Sequence, residues 1–323
     1  MGAGGEFDAG PSANIRYMRE SVISVRGLRK SYGELEAVRG IDLEVARGEI
    51  FAFVGPNGAG KTTTVEIMEG YRRRSAGEAT VLGVDPAAAG REWRERVGIV
   101  LQECRMQPEL TVRETVSQYA GYYRQSRPVE ETIELVGLSD KADARAGKLS
   151  GGQQRRLDVA LALIGDPELV FLDEPTTGFD PTARRQAWGM IASLRELGKT
   201  VFLTTHYMEE AQELADRVAI IASGRIVAEG PPDELGGVDD TVEVRFRLPP
   251  GVAIDELPPA ARSAAQTSLG NGLVAMHTDK PLETLHELTG WALQRGVSLP
   301  ALQVRRASLE DVYLRLTEEA ERA

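Results

Sequence analysis

Hydrophobic positions change their period several times along this chain. Apolar and polar residues alternate through Val22–Leu28, and again at Val38, Ile41, Leu43 and Val45 within Ala37–Val45. That pattern predicts two short antiparallel strands. Ile50-Phe-Ala-Phe-Val54 is apolar throughout, with Gly55 behind it. Such a run reads as a strand buried on both faces of a parallel sheet. A helix is expected from the end of the Gly-rich loop that follows.

From about Gln102 to Lys148 the period becomes helical. Thr111-Val-Arg-Glu114 has the form of a capping box, and Val112, Val116, Tyr119, Ala120 and Tyr123 follow at helical spacing. Further helices are expected over Val129–Val136 and after Ser150, where Leu157, Leu161 and Leu163 supply apolar positions. Leu169–Leu172 and Val201–Leu203 are again buried-strand runs, separated by a helix near Ala183–Leu197. Val218–Ile221 and Ile226–Ala228 flank Ser223-Gly224-Arg225 and predict a hairpin.

Strands alternating with helices predict an α/β fold with a largely parallel sheet. Pro231-Pro232 and Gly236-Gly237 mark its end. Beyond them, Val242, Val244 and Phe246 share one face of a strand over Thr241–Arg247. Leu282, Leu285, Leu288 and Leu293 predict a helix, and Val297–Val304 a strand interrupted by Pro300. A final helix is expected from Ser308, its stripe of Leu309, Val312, Tyr313 and Leu316 read as part of the small unit's own core. Trp93, Trp188 and Trp291 are read as packing residues.

Composition narrows the function classes. Of 323 residues, 49 are acidic and 38 basic, giving a net charge of −11. So acidic a chain is a poor general binder of polyanions, and no nucleic-acid partner is expected. Cys104 is the single cysteine, which excludes an internal disulfide and a Cys-rich zinc site. His277 and His286 show no metal spacing. No apolar run approaches the roughly 18–20 residues of a membrane helix. The Gly/Ala-rich start lacks an apolar signal core, so a flexible tail over residues 1–20 and a cytoplasmic location are expected, with any membrane work done through a partner.

Gly55-Pro56-Asn57-Gly58-Ala59-Gly60-Lys61-Thr62 fits the pattern G-x-x-x-x-G-K-[ST] between a buried strand and a helix. Glycines let backbone N–H groups converge on one point, and the helix adds the positive end of its dipole. Lys61 would neutralise β/γ-phosphates, Thr62 would hold Mg²⁺ through its hydroxyl, and Thr63 can add a phosphate hydrogen bond. The two-glycine spacing of a dinucleotide fingerprint is not met around Lys61. Leu149-Ser150-Gly151-Gly152-Gln153 precedes a helix, with Ser150 a good N-cap and exposed backbone N–H groups behind it, a second anion site. Leu169-Val-Phe-Leu172-Asp173-Glu174 ends a buried strand in two carboxylates. Asp173 is placed to bind Mg²⁺, and Glu174 to take a proton from an attacking water. Thr204-Thr205-His206 ends another strand expected at the same sheet edge.

With these motifs the chain resembles the ATP-binding subunits of ABC transporters over about residues 22–236. The family's motifs stand in family order: phosphate loop at 55–62, glutamine loop at Gln102, signature at 149–153, Walker B at 169–174, D-loop at 178–181 and switch histidine at His206. Tyr32 matches the aromatic that stacks on adenine. Phe179 stands where Leu is commoner in the D-loop. The ending Ser308–Thr317, with Leu101-Gln-Glu103 and Leu110–Glu114, resembles drug- and lipid-exporting subunits of the daunorubicin-resistance (ABC-2) type.

The resemblance implies a P-loop NTPase fold over 21–236, with a mainly parallel sheet, an antiparallel β subdomain and a helical subdomain at about 103–150. A small α+β domain would follow at 237–323. It implies ATP and Mg²⁺ as ligands and a head-to-tail homodimer. Ser150, Gly151, Gly152 and Gln153 of one subunit would close over ATP on the phosphate loop of the other. Asp180 would cross the seam to place Glu174 and His206, and Gln102 would reach Mg²⁺ and the water. A separate membrane permease would do the export of a drug, antibiotic or lipid-like molecule, with this subunit at the cytoplasmic face. The alternative is a non-transport ABC ATPase acting on nucleic acid or the ribosome. Such proteins usually carry two cassettes or long coiled-coil or zinc insertions, and this acidic chain has one cassette and neither insertion. An import ATPase is a third reading, against which the 308–317 ending argues.

Overall fold

The computed structural model describes residues 20–100, 107–236, 242–249, 251–268, 273–306, 309–310 and 312–313. Gln102, Cys104, Ser308 and Leu316 lie outside the described residues. Strands β1 (Ser21–Tyr32) and β2 (Leu35–Ala46) pair antiparallel, and β3 (Ile50–Val54) leads into helix α1 (Lys61–Met68). Next come β4 (Ala76–Val81), α2 (Arg91–Arg94) and β5 (Val97–Val100). Helices α3 (Val112–Ala120), α4 (Val129–Leu135) and α5 (Gly151–Leu163) form a helical layer. Then β6 (Leu169–Asp173), α6 (Pro181–Glu196), β7 (Thr200–Thr205), α7 (Met208–Leu214) and the hairpin β8 (Arg217–Ala222) and β9 (Arg225–Gly230) complete the larger part, capped by α8 (Pro232–Gly236).

The main sheet runs β5-β6-β7-β3-β8-β9. Its first five strands are parallel, and β9 pairs antiparallel with β8. A second sheet, β2-β1-β4, is antiparallel. Period-2 alternation divides the main sheet's side chains between two faces. Phe51, Phe53, Phe171, Phe202 and Ile221 meet the antiparallel sheet and α1. The ring of Phe202 lies 5.6–5.8 Å from those of Phe51, Phe53 and Phe171. On the other face Val170, Leu172, Val201 and Leu203 meet the helical layer, while Ala52, Val54, Val218 and Ile220 meet α7. Every residue of β3 is buried, as its unbroken apolar run requires.

Residues past 241 build a separate four-stranded antiparallel sheet in the order β11-β12-β10-β13. Its elements are β10 (Val242–Arg247), α9 (Pro259–Ala264), β11 (Ala265–Ser268), β12 (Leu273–Thr278), α10 (Pro281–Arg295) and β13 (Gln303–Arg306). Its core gathers Val244, Phe246, Leu257, Ala261, Val274, Met276 and Leu288.

Two expectations for this part are corrected, and a third, the helix over Leu282–Leu293, is present as α10 with a different set of its residues buried. The strand expected over Val297–Val304 is reduced to Gln303–Arg306. Pro300 has no N–H to give a ladder, and its carbonyl instead accepts from the Arg247 N–H at 2.8 Å. Helix α10 buries Thr284, Leu288 and Ala292, leaving Leu282 and Leu293 more than four-fifths exposed. At about 100° per residue those two lie roughly 120–140° around the axis from Leu288. The stripe of the last helix also has a different partner. Leu309 and Tyr313 pack with Ala52, Val54, Met208, Ala211, Val218, Ile220 and Leu235, on the back of the main sheet, and outside the small sheet's core.

Candidate functional site

The loop 55–60 leaves the carboxyl end of β3 and opens α1. Gly58 and Gly60 are left-handed, at φ +81° and +103°. A Cβ on Gly60 would lie 2.6 Å from the Ala37 carbonyl oxygen, and one on Gly55 would lie 2.3 Å from that of Ile221. Close backbone approach therefore demands glycine at both positions. No side chain caps Gly60, so the first turn of α1 keeps its orphan N–H donors and the positive end of its dipole for an anion. Asn57, Gly58 and Thr62 are exposed, Pro56 and Thr63 half-buried, and Ala59 buried.

Lys61 is buried, and its Nζ donates to the carbonyls of Gly55 at 2.7 Å and Pro56 at 3.1 Å. Burial pushes its pKa down, while the Glu174 and Asp173 carboxylates oppose that shift. The ammonium and both acids thus belong to one electrostatic site.

Asp173 ends β6 in register with Thr204 of β7. The Thr204 hydroxyl donates to Asp173 Oδ1, which fixes the carboxylate. The next residue turns sharply. Glu174 has φ +45°, and its N–H donates to both the carbonyl and the hydroxyl of Thr204 at 3.1 Å. A left-handed glutamate is a strained backbone, of the kind that gathers at functional sites. Glu174 Oε2 accepts from Thr177 Oγ1 at 3.0 Å and lies 3.3 Å from His206 Nδ1. The carboxylate pair and the lone histidine, each a weak signal alone, are brought together by the β6–β7 pairing.

Ser150 caps α5. Its Oγ accepts from the Gln153 N–H at 3.3 Å, and Gln153 Oε1 accepts from the Ser150 N–H at 3.0 Å, a reciprocal capping box. Ser150 and Gly151 are exposed, Gly152 and Gln153 half-buried. Asp180 caps α6, its Oδ1 accepting from the N–H groups of Thr182 and Ala183 at 2.9 Å. Tyr32, 40% exposed, has Lys30 Nζ 5.0 Å and Arg72 Cζ 5.4 Å from its ring centroid.

Three further residues escape sequence reasoning. Buried Arg155 donates to the carbonyls of Asp173 at 2.6 Å and Pro175 at 3.3 Å, tying α5 to the end of β6. Glu69 is buried at the carboxyl end of α1, its pKa pushed up to about 8 by burial, then by Asp173 and Glu66. Glu210 is wholly buried on α7. Nothing in a linear pattern marks a carboxylate as buried.

These features fit MgATP: a glycine cradle that a Cβ would fill, a lysine inside it, and a fixed carboxylate and a threonine hydroxyl, the oxygen donors Mg²⁺ prefers. Residues 38–177 match the family model described as ABC transporter, and residues 242–308 that of a C-terminal domain of ABC transporter domain-containing proteins. Nod factor export ATP-binding protein I of Burkholderia orbicola (strain AU 1054) is 38% identical over 308 residues, covering 93% of this chain and 98% of that protein. Its namesake in Rhizobium sp. (strain N33) is 40% identical over 306 residues, with coverage of 93% and 98%. Among solved structures, cbiO1 of Clostridium perfringens, part of the ABC transporter complex cbiONQ, superposes with a TM-score of 0.61 at 28% identity. That match covers 67% of this chain and 91% of the other. The dimeric post-hydrolysis cassette MJ0796, bound to ADP and Pi, gives 0.58 at 25% identity, covering 65% and 98%. Likeness that continues from the phosphate loop through the C-terminal sheet settles the family: the chain belongs to the ATP-binding subunits of ABC transporters, which hydrolyse ATP to power transport.

Proposed function

We propose that this subunit binds MgATP at residues 55–63, pairs head to tail with a second copy, and drives a separate membrane permease in an exporter. The observation that carries this reading is Glu174 Oε2, held by Thr177 and facing His206 Nδ1 at 3.3 Å on the same sheet edge as Lys61. Tyr32 stacks on the adenine, and the backbone of Gly55 to Gly60 with Lys61 and Thr63 grips the phosphates. Asp173, Thr62 and Gln102 would hold Mg²⁺, which when bound offsets the charge of the β- and γ-phosphates. A water then attacks the γ-phosphorus while Glu174 accepts its proton and His206 orients the group. The bond from the γ-phosphorus to the β,γ-bridging oxygen breaks, and ADP leaves with that electron pair.

Ser150, Gly151, Gly152 and Gln153 close over the partner's nucleotide through the N-terminus of α5, and Asp180 lies at the seam. The γ-phosphate therefore stabilises the closed pair selectively, and hydrolysis removes that bias. Export is supported by the name of the relatives, and a permease partner by the complex containing cbiO1. Among the described residues no helix is long and apolar enough to cross a membrane, so in this reading the pathway belongs to the permease and the subunit sits against it at the cytoplasmic face. The cargo proposed is a drug, antibiotic or lipid-like molecule. Glu174→Gln should bind MgATP and dimerise by light scattering while turnover falls by about 10²–10⁴-fold. Wild-type turnover, or a monomer at saturating MgATP with and without permease, refutes the reading.

A further inference from the structure

Glu210 stands on α7, four residues beyond His206. Its Oε1 accepts from Thr176 Oγ1 at 2.8 Å and from Trp188 Nε1 at 3.1 Å. The Thr205 hydroxyl and the Arg184 guanidinium also face the carboxyl, partly offsetting the upward pKa shift that burial imposes. Each of these partners belongs to a different working segment. Thr176 lies two residues past Glu174. Trp188 and Arg184 ride on α6, the helix that Asp180 caps. Thr205 and Glu210 bracket His206. The histidine's neighbour joins the same cluster: the Arg184 guanidinium lies 4.2 Å from the Tyr207 ring centroid, and the rings of Tyr207 and His206 are 4.0 Å apart.

A buried carboxyl is a costly way to hold three segments together. Apolar side chains of similar volume fill such a site as well or better, while a hydrogen-bonded acid fixes geometry. Here Glu210 Oε2 and Arg184 Nε are both buried without a hydrogen-bond partner, so the cluster is not arranged for maximal stability. What it does fix is the relation among the turn carrying Glu174, the helix carrying Asp180 and the loop carrying His206.

We propose that Glu210 is a positioning residue for ATP hydrolysis, locking those three segments into one unit so that the position of Asp180 at the subunit seam sets the geometry between Glu174 and His206. This rests on the roles given to Glu174, Asp180 and His206 above. Arg184, Trp188 and Tyr207 carry the link along α6 to the histidine.

The test uses the full-length chain with steady-state ATPase rates, a MgATP binding titration and a thermal midpoint for each variant. Glu210→Gln keeps the volume and alters the charge and donor pattern. It should lower kcat by about 10–100-fold and leave the MgATP Kd within about twofold. In a His206→Ala background the same change should cost less than about twofold, because both act on one geometry. Trp188→Phe removes the indole donor together with one ring of the side chain, and should lower kcat by about 3–10-fold with the same insensitivity in the His206→Ala background, after rates are normalised to folded protein. It decides the matter where Glu210→Gln does not fold. Wild-type kcat, an equal fractional loss in both backgrounds, or a loss that disappears once rates are normalised to folded protein overturns the proposal. If Glu174→Gln and His206→Ala are slow but Glu210→Gln and Trp188→Phe are not, this inference alone fails. If Glu174→Gln and His206→Ala turn over normally, the underlying roles fail with it.

Discussion

Glu69→Gln isolates the charge of one buried acid. Glu69 terminates α1, where helix carbonyls point their negative ends, and it is 6% exposed. Burial first, then the Asp173 and Glu66 carboxylates, lifts its pKa from the ordinary 4.5 to about 8. A raised acid pKa means that the folded chain holds a proton the unfolded chain has already released. Between about pH 4.5 and 8 the native state therefore binds more protons, and stability falls as pH rises through that window. The full displacement corresponds to up to about 5 kcal/mol above pH 8. Gln is neutral at every pH and close to protonated Glu in shape. The variant should match wild type near pH 4.5 and exceed it increasingly up to pH 8.5, by a few kcal/mol. Urea unfolding at a series of pH values, in EDTA and without nucleotide, measures the difference and keeps cations off Asp173. Other titrating groups are shared and largely cancel. A difference that stays constant from pH 4.5 to 8.5 would refute the placement of a burdened carboxyl there.

Leu309→Ala removes a side chain that is 1% exposed between the last helix and the main sheet, and should cost about 2–5 kcal/mol, read as a lowered thermal midpoint. An unchanged midpoint would mean that this helix does not dock on the cassette. Lys61→Ala deletes an ammonium that is held within the phosphate loop, and should weaken MgATP binding by about 10–100-fold in a titration, the size of a charged hydrogen bond. Unchanged affinity would contradict the loop's assignment.

Legibility followed the range of the interactions involved. The phosphate loop could be read because its chemistry demands glycine at fixed spacing, and Gly55 and Gly60 indeed face carbonyls where no Cβ fits. Strands β3, β6 and β7 announced themselves as unbroken apolar runs, the capping box at Thr111 closes as its three-residue spacing predicts, and Ser150 caps α5 as expected, with Gln153 completing a box that was not among the sequence expectations. Contacts made by strand pairing were legible only as a shared sheet edge: the runs ending at Glu174 and His206 were expected there, but no linear pattern gives the 3.3 Å between the two side chains. Periodicity also says that a helix has a buried arc without saying which one or against what. Hence α10 turned Leu282 and Leu293 outward, and the Leu309–Tyr313 stripe found the main sheet rather than the small one. Glu69, Arg155 and Glu210 left no trace because burial of charge is decided by neighbours far away in the chain.

Leu235, at the end of the cassette, and Leu309, in the last helical stretch, share one apolar patch. The stretch between them leaves that patch, folds around a core of its own and returns to the same spot. In connectivity it is an excursion clasped at its base, more an insert than a tail. Both ends being pinned, its unfolded form is a closed loop with less freedom than a dangling segment of equal length. Both attachments lie against Ala52 and Val54, so the four-stranded sheet is joined to the back of the strand that feeds the phosphate loop by two chain connections rather than one.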